Sequence, residues 1–266
     1  MSALKSKPLR GYKNIIRLGE RHENQAHSLY KYMNVQRAIE FLESGDYYFV
    51  EPMSWTDPYE KRFYTADYSS VCFTPRQCFC TCLTDSISSE AAWKMYRNSN
   101  GGLADRTVRF EFNRKILFSV LDNNKSSAKV YFGNANYDFT TKEINELHCP
   151  SNSNYDKYFT NIDEEKFLHL LLIKRKAFKY ESEIRFFILP EHREEIYLDE
   201  DLEVFHSLKL QFSKEQMESM IESISIDPSC SDIECDMIKT KIQTLFPNIK
   251  CTKNGLYSKN PRLIIK

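Results

Sequence analysis

The sequence predicts an α+β protein, a single domain in which short strands of a mixed sheet are interleaved with amphipathic helices. Three observations carry that expectation. Several short runs alternate apolar and polar residues, as in Thr107-Val108-Arg109-Phe110-Glu111-Phe112, which is the period of a strand with one buried face. Other runs recur at helical spacing behind recognisable caps, such as Asn34 ahead of Val35, Ala38, Ile39 and Leu42. The chain has 266 residues, 41% hydrophobic and 14% aromatic, enough for a substantial core. No internal repeat or low-complexity linker divides it, so one mixed domain is the simplest organisation.

Taken in order, residues 1–26 are polar and basic and read as an N-terminal arm or a loosely packed helix, ahead of a domain over 27–266. Leu29 to Met33 reads as a strand, and Asn34 to Gly45 as a capped helix ended by glycine. Tyr47 to Val50 is a second strand, stopped by Pro52, and Met53 to Glu60 a shaped loop. Gln77 to Thr84 is a third strand. Ser88 or Ser89 caps a short helix through Trp93 and Tyr96, a turn covers Asn98 to Gly102, and Thr107 to Phe112 is a fourth strand. From about 122 to 162 Asn, Ser, Tyr and Asp dominate, apart from a strand at Ala128 to Phe132; this reads as a polar insertion, mobile or ordered by a partner. Asp163 caps a helix through Phe167, Leu170 and Ile173. The last third alternates: a strand at Leu208 to Phe212, a helix from the capping box Ser213 to Gln216, and a strand at Ser223 to Ile226. A second capping box at Ser231 to Glu234 opens another helix, and Ile249 to Thr252 returns to the sheet.

Composition excludes some classes. With 37 basic and 37 acidic residues, no global charge favours nucleic acid or a membrane surface. Basic residues cluster locally, at 1–21 and again at Lys174, Arg175, Lys176 and Lys179, where they would suit a nucleic-acid acceptor or be only solvated edges. No segment has the apolar length of a membrane span, and the N-terminus reads as no secretion signal. Eight cysteines then fit reduced thiols and a cytoplasmic location. Cys78, Cys80 and Cys82 would share one strand face as small core residues, with a metal site a distant alternative, since C-x-C-x-C is not zinc spacing. Glycine-rich phosphate loops and the common hydrolase and metalloprotease signatures are missing, and none of the six histidines sits at ligand spacing.

The stretch richest in chemistry is Lys176 to Leu189. Read as one strand, it turns Tyr180, Ser182, Ile184, Phe186 and Ile188 to the core and lines up Glu181, Glu183 and Arg185 on the other face. Two carboxylates at that spacing beside a guanidinium have their proton affinities pushed apart, which suits a division of acid, base and electrostatic roles. A weak surface ion pair is the plainer explanation.

Together with three other landmarks, that stretch resembles a widespread bacterial family of unknown-function domains. The landmarks are Tyr30-Lys31-Tyr32 before a helix, and Thr56-Asp57-Pro58-Tyr59-Glu60 in place of an N-D-P-F/Y-E loop. They continue with Cys80 to Thr84 followed by Ala92-Trp93-Lys94-Met95-Tyr96 and glycine, and end with Tyr180-Glu181-Ser182-Glu183-Ile184-Arg185. More loosely, the layout is similar to the ADP-ribosyltransferase superfamily. That second resemblance implies a split mixed sheet with flanking helices and NAD as co-substrate. Glu183 and Glu181 would be the catalytic carboxylates, and Tyr30, Lys31, Tyr32, Tyr47, Tyr48 and Arg185 would contact the dinucleotide. Lys31 departs from the Arg or His usual at the early position. No metal is implied. The resemblance also implies a toxin or phage-defence effector, RNA, DNA or protein as acceptor, and an inhibitory antitoxin partner. For any single tyrosine, core packing with a rim hydroxyl is the commoner role, and for Asp57 and Glu60 a loop-shaping hydrogen bond is expected. The alternatives are a non-catalytic partner-binding domain and a metal-dependent nuclease, for which no third carboxylate stands at a telling spacing.

Overall fold

The computed structural model describes residues 4, 6–19, 27–86, 90–97, 102–123, 128–190, 197–198 and 206–257. The cap expected at Ser88 or Ser89, most of the turn after Arg97, and Lys5 and Arg21 of the basic arm lie outside them. In chain order the elements are β1 (Ser6–Pro8), β2 (Ile15–Leu18), β3 (Ser28–Asn34), α1 (Val35–Ser44), β4 (Asp46–Val50), α2 (Pro58–Thr65), β5 (Phe79–Thr84) and α3 (Glu90–Met95). They continue with β6 (Thr107–Asn113), α4 (Arg114–Asp122), β7 (Val130–Asn134), α5 (Thr141–Glu146), α6 (Tyr155–Tyr158), α7 (Glu164–Leu170) and β8 (Glu183–Ile188). The last are β9 (Tyr197–Leu198), β10 (His206–Gln211), α8 (Lys214–Met220), β11 (Ile221–Ile226), α9 (Asp232–Leu245) and β12 (Lys250–Lys253). The class is α+β, with parallel and antiparallel pairings mixed among helices.

The caps read from the sequence form as expected. The Asn34 side chain accepts from Arg37 N, Asp163 from Lys166 N, and Ser213 and Ser231 close reciprocal capping boxes. Gly45 ends α1 in the left-handed region at φ 74°.

Contacts gather the chain into two compact units, each assembled from three separate stretches: 1–27, 47–85 and 115–210 in unit 1, and 28–46, 86–114 and 211–266 in unit 2. In unit 1, strands run in the order β1, β2, β7, β8, β5, with β4 beside β5 and β10, and β9 beside β10. β2 and β7 are parallel; β1 with β2, β7 with β8, and β8 with β5 are antiparallel. Against this sheet lies an apolar cluster that includes Phe63, Cys78, Leu147, Tyr158, Phe167 and Phe187. Unit 2 carries β3, β6 and β11 antiparallel, with β12 parallel to β11 and α9 as the crossover between them. Helices α1 and α9 pack together, and Phe41 meets Phe110 edge to face at 5.7 Å.

Three segments differ from the sequence reading, each for a tertiary reason. Residues 6–18, read as an arm, form β1 and β2, and β2 extends the sheet beside β7. The span around 122–162, read as an insertion, supplies β7 in mid-sheet, together with α5 and α6. Ile144, Leu147 and Tyr158 from it are fully buried, because a few large apolar groups spaced among polar residues suffice to dock short helices. Finally, Lys176–Leu189 is not one strand. Lys176–Glu181 is a 3-10 helix, Ser182 follows in the left-handed region, and the strand begins only at Glu183. Tyr180, expected in the core, is consequently exposed.

A buried charge cluster as the candidate functional site

The break at Ser182 builds the site. Ser182 has φ 44° and ψ 48°, a conformation that a non-glycine residue holds only where its surroundings enforce it. It turns the chain between helix and strand, so Glu181 and Glu183 approach the same cation from different directions. That cation is Lys174. Its Nζ lies 2.7 Å from Glu183 Oε2 and 3.5 Å from Glu60 Oε1, and it also contacts Glu181 Oε2. Arg185, two residues along β8 from Glu183, donates from Nε to Glu183 Oε1 at 3.2 Å and from Nη2 to Glu183 Oε2 at 3.1 Å. It also donates to Glu60 Oε2 and to the Leu171 carbonyl.

Each partner is delivered by a nameable feature of the fold. After β7, Ala135 N donates to Glu183 O, Asn136 N to Leu172 O, and Lys174 N to Asn136 O. These bonds fasten the segment after α7 alongside β8 and aim Lys174 inward. The Tyr137 hydroxyl accepts from Glu183 N at 3.0 Å. Glu60 comes from the first turn of α2, where Asp57 is the N-cap, accepting from Tyr59 N, and Pro58 is the first helical residue. Asp57 also pairs with Arg175 Nε at 3.0 Å. Aromatic groups line the cluster: the Arg185 guanidinium lies 4.3 Å from the Trp55 ring centroid, and Arg175 stacks on Tyr59 and Phe178 at 4.7 and 5.0 Å.

The electrostatics follow from burial and count. Glu60, Glu181 and Glu183 face Lys174 and Arg185, so the cluster holds one more acid than base. Burial alone would push the Glu183 carboxyl up, but Arg185 and Lys174 outweigh it and hold Glu183 well below the usual carboxylate range. For Glu181 and Glu60 burial wins over the cations, and both are raised. Burial works against a charged Lys174, yet Glu183 and Glu60 raise its proton affinity above that of an ordinary lysine. Of the two carboxylates named from the sequence, Glu183 is the anchor and Glu181 the more open.

The other residues named from the sequence are distributed as follows. Tyr47 and Tyr48 are neighbours on β4 of unit 1 and so face opposite ways; the Tyr47 hydroxyl is 3.2 Å from Thr81 Oγ1, and Tyr48 is half-exposed. Tyr30, Lys31 and Tyr32 belong to β3 of unit 2. Register pairs Tyr30 with Glu111, Lys31 with Phe110 and Tyr32 with Arg109, which sends both tyrosines to one sheet face and Lys31 to the other. Tyr30 and Tyr32 are buried; Arg109 lies 4.6 Å from the Tyr30 ring centroid, and Tyr32 meets Trp93 edge to face at 5.0 Å. The basic cluster at 174–179 is divided by the fold. Lys174 and Arg175 serve carboxylates, leaving Lys176 and Lys179 exposed.

Sequence reasoning missed Glu60 and Lys174. From the sequence alone Glu60 reads as a loop-shaping hydrogen bond, and Lys174 as part of a basic cluster that suits a nucleic-acid acceptor or is only a solvated edge. A signal existed for the first: Asp-Pro is a helix cap and first-turn pair, which fixes Glu60 on the first turn of a short helix. Cys78 and Cys80 are buried, and Cys80 and Cys82 lie Sγ to Sγ at 4.0 Å. Among the described residues no group of three or more His, Cys, Asp and Glu is arranged to hold a metal ion.

Fold and site together define an α+β protein built around a buried, acid-rich ion cluster. A family model described as a protein of unknown function (DUF2971) matches residues 92–186, less than half of the chain. That stretch contains Lys174, Glu181, Glu183 and Arg185 but not Asp57 or Glu60. No curated protein and no solved structure matches the chain. No helix among the described residues is long and apolar enough to cross a membrane.

Proposed function

We propose that this protein is an ADP-ribosyltransferase that cleaves the nicotinamide–ribose bond of NAD and passes the ADP-ribosyl group to an acceptor. The observation that supports this best is the excess carboxylate in the buried cluster. Breaking that bond develops positive charge on the ribose carbon, as in glycoside cleavage. The charge moves there from the nicotinamide ring, which leaves neutral, and a preorganised, water-poor site whose surplus negative charge faces the ribose carbon favours that transition state over the ground state. Glu183, held ionised by Lys174 and Arg185, supplies fixed negative charge. Glu181, with its raised proton affinity and greater openness, is suited to take the acceptor's proton. Tyr30, Lys31, Tyr32, Tyr47 and Tyr48 are the proposed dinucleotide contacts, with Arg185 acting by fixing the carboxylates. Toxin or antiviral-defence activity, an RNA, DNA or protein acceptor, a cytoplasmic location and an inhibitory partner complete the reading; with Lys174 and Arg175 engaged internally, electrostatics favour nucleic acid less than the sequence suggested.

The test is incubation of the purified chain with NAD labelled in its adenylate moiety and a cell extract. Label entering protein, RNA or DNA is the expected result. Glu181→Gln should cleave NAD but transfer poorly, and Glu183→Gln should do neither. Absence of NAD binding and cleavage by the folded wild-type chain would overturn the assignment.

One observation favours a second reading, a non-catalytic partner-binding domain. Glu183 is fully paired to Lys174 and Arg185, as a structural lattice would be. NAD binding measured by calorimetry separates the two. A nuclease is less well supported: Glu60 does provide a third carboxylate, but the point where the three converge is filled by the Lys174 ammonium.

A further inference from the structure

We propose that Glu60 is a positioning residue, whose carboxylate competes with Glu181 for Lys174 and so keeps Glu181 able to exchange a proton. The geometry rests on one shared resource. Lys174 touches Glu60, Glu181 and Glu183, and Arg185 touches Glu60 and Glu183. Arg185 is fully buried and Glu60 nearly so, so water compensates neither. With three acids against two bases, the cluster is short of one positive charge, and a proton is the smallest way to supply it. Glu183 is the poorest place for that proton, since both cations bind it. Glu60 holds Arg185 directly. Glu181 has only Lys174, which it shares with the other two, and it is the most open of the three.

The groups facing Glu181 from each packed element support this. Segment 135–137 after β7 brings the Tyr137 hydroxyl, held high in proton affinity by burial. β8 brings Glu183 and Arg185, and α2 brings Glu60. The segment after α7 brings Lys174. From β5, Thr84 donates to the Glu181 backbone carbonyl at 2.7 Å, and Cys82 stands opposite Arg185 in register. Lys174 is the one cation in direct contact with Glu181 among these, so removing a competitor for it has a definite sign. With Glu60 neutral, two carboxylates are left to two cations and Glu181 ionises more easily.

The inference rests on the transferase reading only where it concerns activity. Its primary test needs no NAD. Carbon-13 NMR of glutamate carboxyls would be followed through a pH titration of the full chain. In wild type, the coupled titration should place at least one group of the cluster, Glu181 first, above the ordinary glutamate value of about 4.3. Glu60→Gln should lower the Glu181 midpoint by about one unit or more, and Glu60→Asp, which keeps the charge, should leave it close to wild type. A merely structural Glu60 would change unfolding in both variants without moving that midpoint. An unchanged Glu181 titration in folded Glu60→Gln would overturn the proposal. So would a wild-type chain in which all three carboxylates ionise below about pH 4, a result that stands even if the variant does not fold. If the chain also transfers ADP-ribose, the acid limb of its pH profile should move down with the Glu181 midpoint in Glu60→Gln. If wild type cleaves no NAD, the transferase reading falls and the titration still decides the role of Glu60.

Discussion

Glu183 shows how one buried residue couples stability to pH. Its carboxylate satisfies Lys174 and both Arg185 contacts. Glu183→Gln should therefore destabilise unit 1 by roughly 3 kcal/mol, the lower end for breaking a buried pair, because Glu60 and Glu181 still balance the two cations. Denaturant unfolding at neutral pH measures this, and any loss of activity in the variant has to be judged at a denaturant-free, low temperature where it remains folded. Because the folded-state proton affinity of Glu183 is depressed, its stabilising contribution is complete above about pH 4.3 and disappears as pH falls through the folded value. The gap between wild type and Glu183→Gln should close in acid. Glu181 has the opposite sign. Its affinity is raised, so the folded state binds its proton more tightly than the unfolded chain, and the ionised form costs stability as pH rises through the folded value. Glu181→Gln should consequently gain on wild type as pH rises above about 4.3. A variant that loses ground to wild type over that range would contradict the raised affinity.

At the scale of elements, α2 and α1 depend on single terminal residues. Asp57 caps α2 and pairs with Arg175. Asp57→Asn keeps a capping oxygen and loses only the partly exposed pair, whereas Asp57→Ala loses both. The alanine variant should cost about 1 kcal/mol more than the asparagine one, and it should loosen Glu60, carried on the first turn of that helix. Gly45 ends α1 at φ 74°, and a Cβ there would meet the Phe212 backbone carbonyl at 2.1 Å. Gly45→Ala combines a left-handed penalty of about 1–2 kcal/mol with a collision against backbone, so unfolding measurements should show a loss of more than about 2 kcal/mol. A near-neutral result would mean that β10 and the start of α8 can move away without cost.

For the whole molecule, the decisive feature is the interleaving of two units. Each unit draws on three separate stretches of chain. A fragment ending at Arg114 would lack 115–210 of unit 1 and 211–266 of unit 2, and should show no cooperative unfolding transition. Amides of β7, placed between β2 and β8, should exchange slowly, although composition reads their neighbourhood as mobile. Fast exchange across Val130–Asn134 would contradict the sheet order. Local signals were legible because they are local: caps, the glycine stop and strand alternation depend on residues a few positions apart, so Asn34, Gly45, Ser213 and Ser231 could be assigned directly. Strand β2 was not legible, since four residues carry too little period to distinguish a strand from an arm.

The sequence alone determined the α+β class, most element positions, and the concentration of chemistry at Glu181, Glu183 and Arg185, because periodicity, capping and charge spacing are properties of the chain itself. Tertiary structure decided the rest. It broke the expected strand at Ser182 and paired the strand carrying Lys31 with Thr107–Asn113, far away in sequence. It buried Lys174 instead of exposing it. It also brought Glu60 across more than a hundred residues to Arg185, where low polarity turns an unremarkable carboxylate into one member of an unbalanced set. A charge count becomes chemistry only once water is excluded, and which charges share that exclusion is settled by packing.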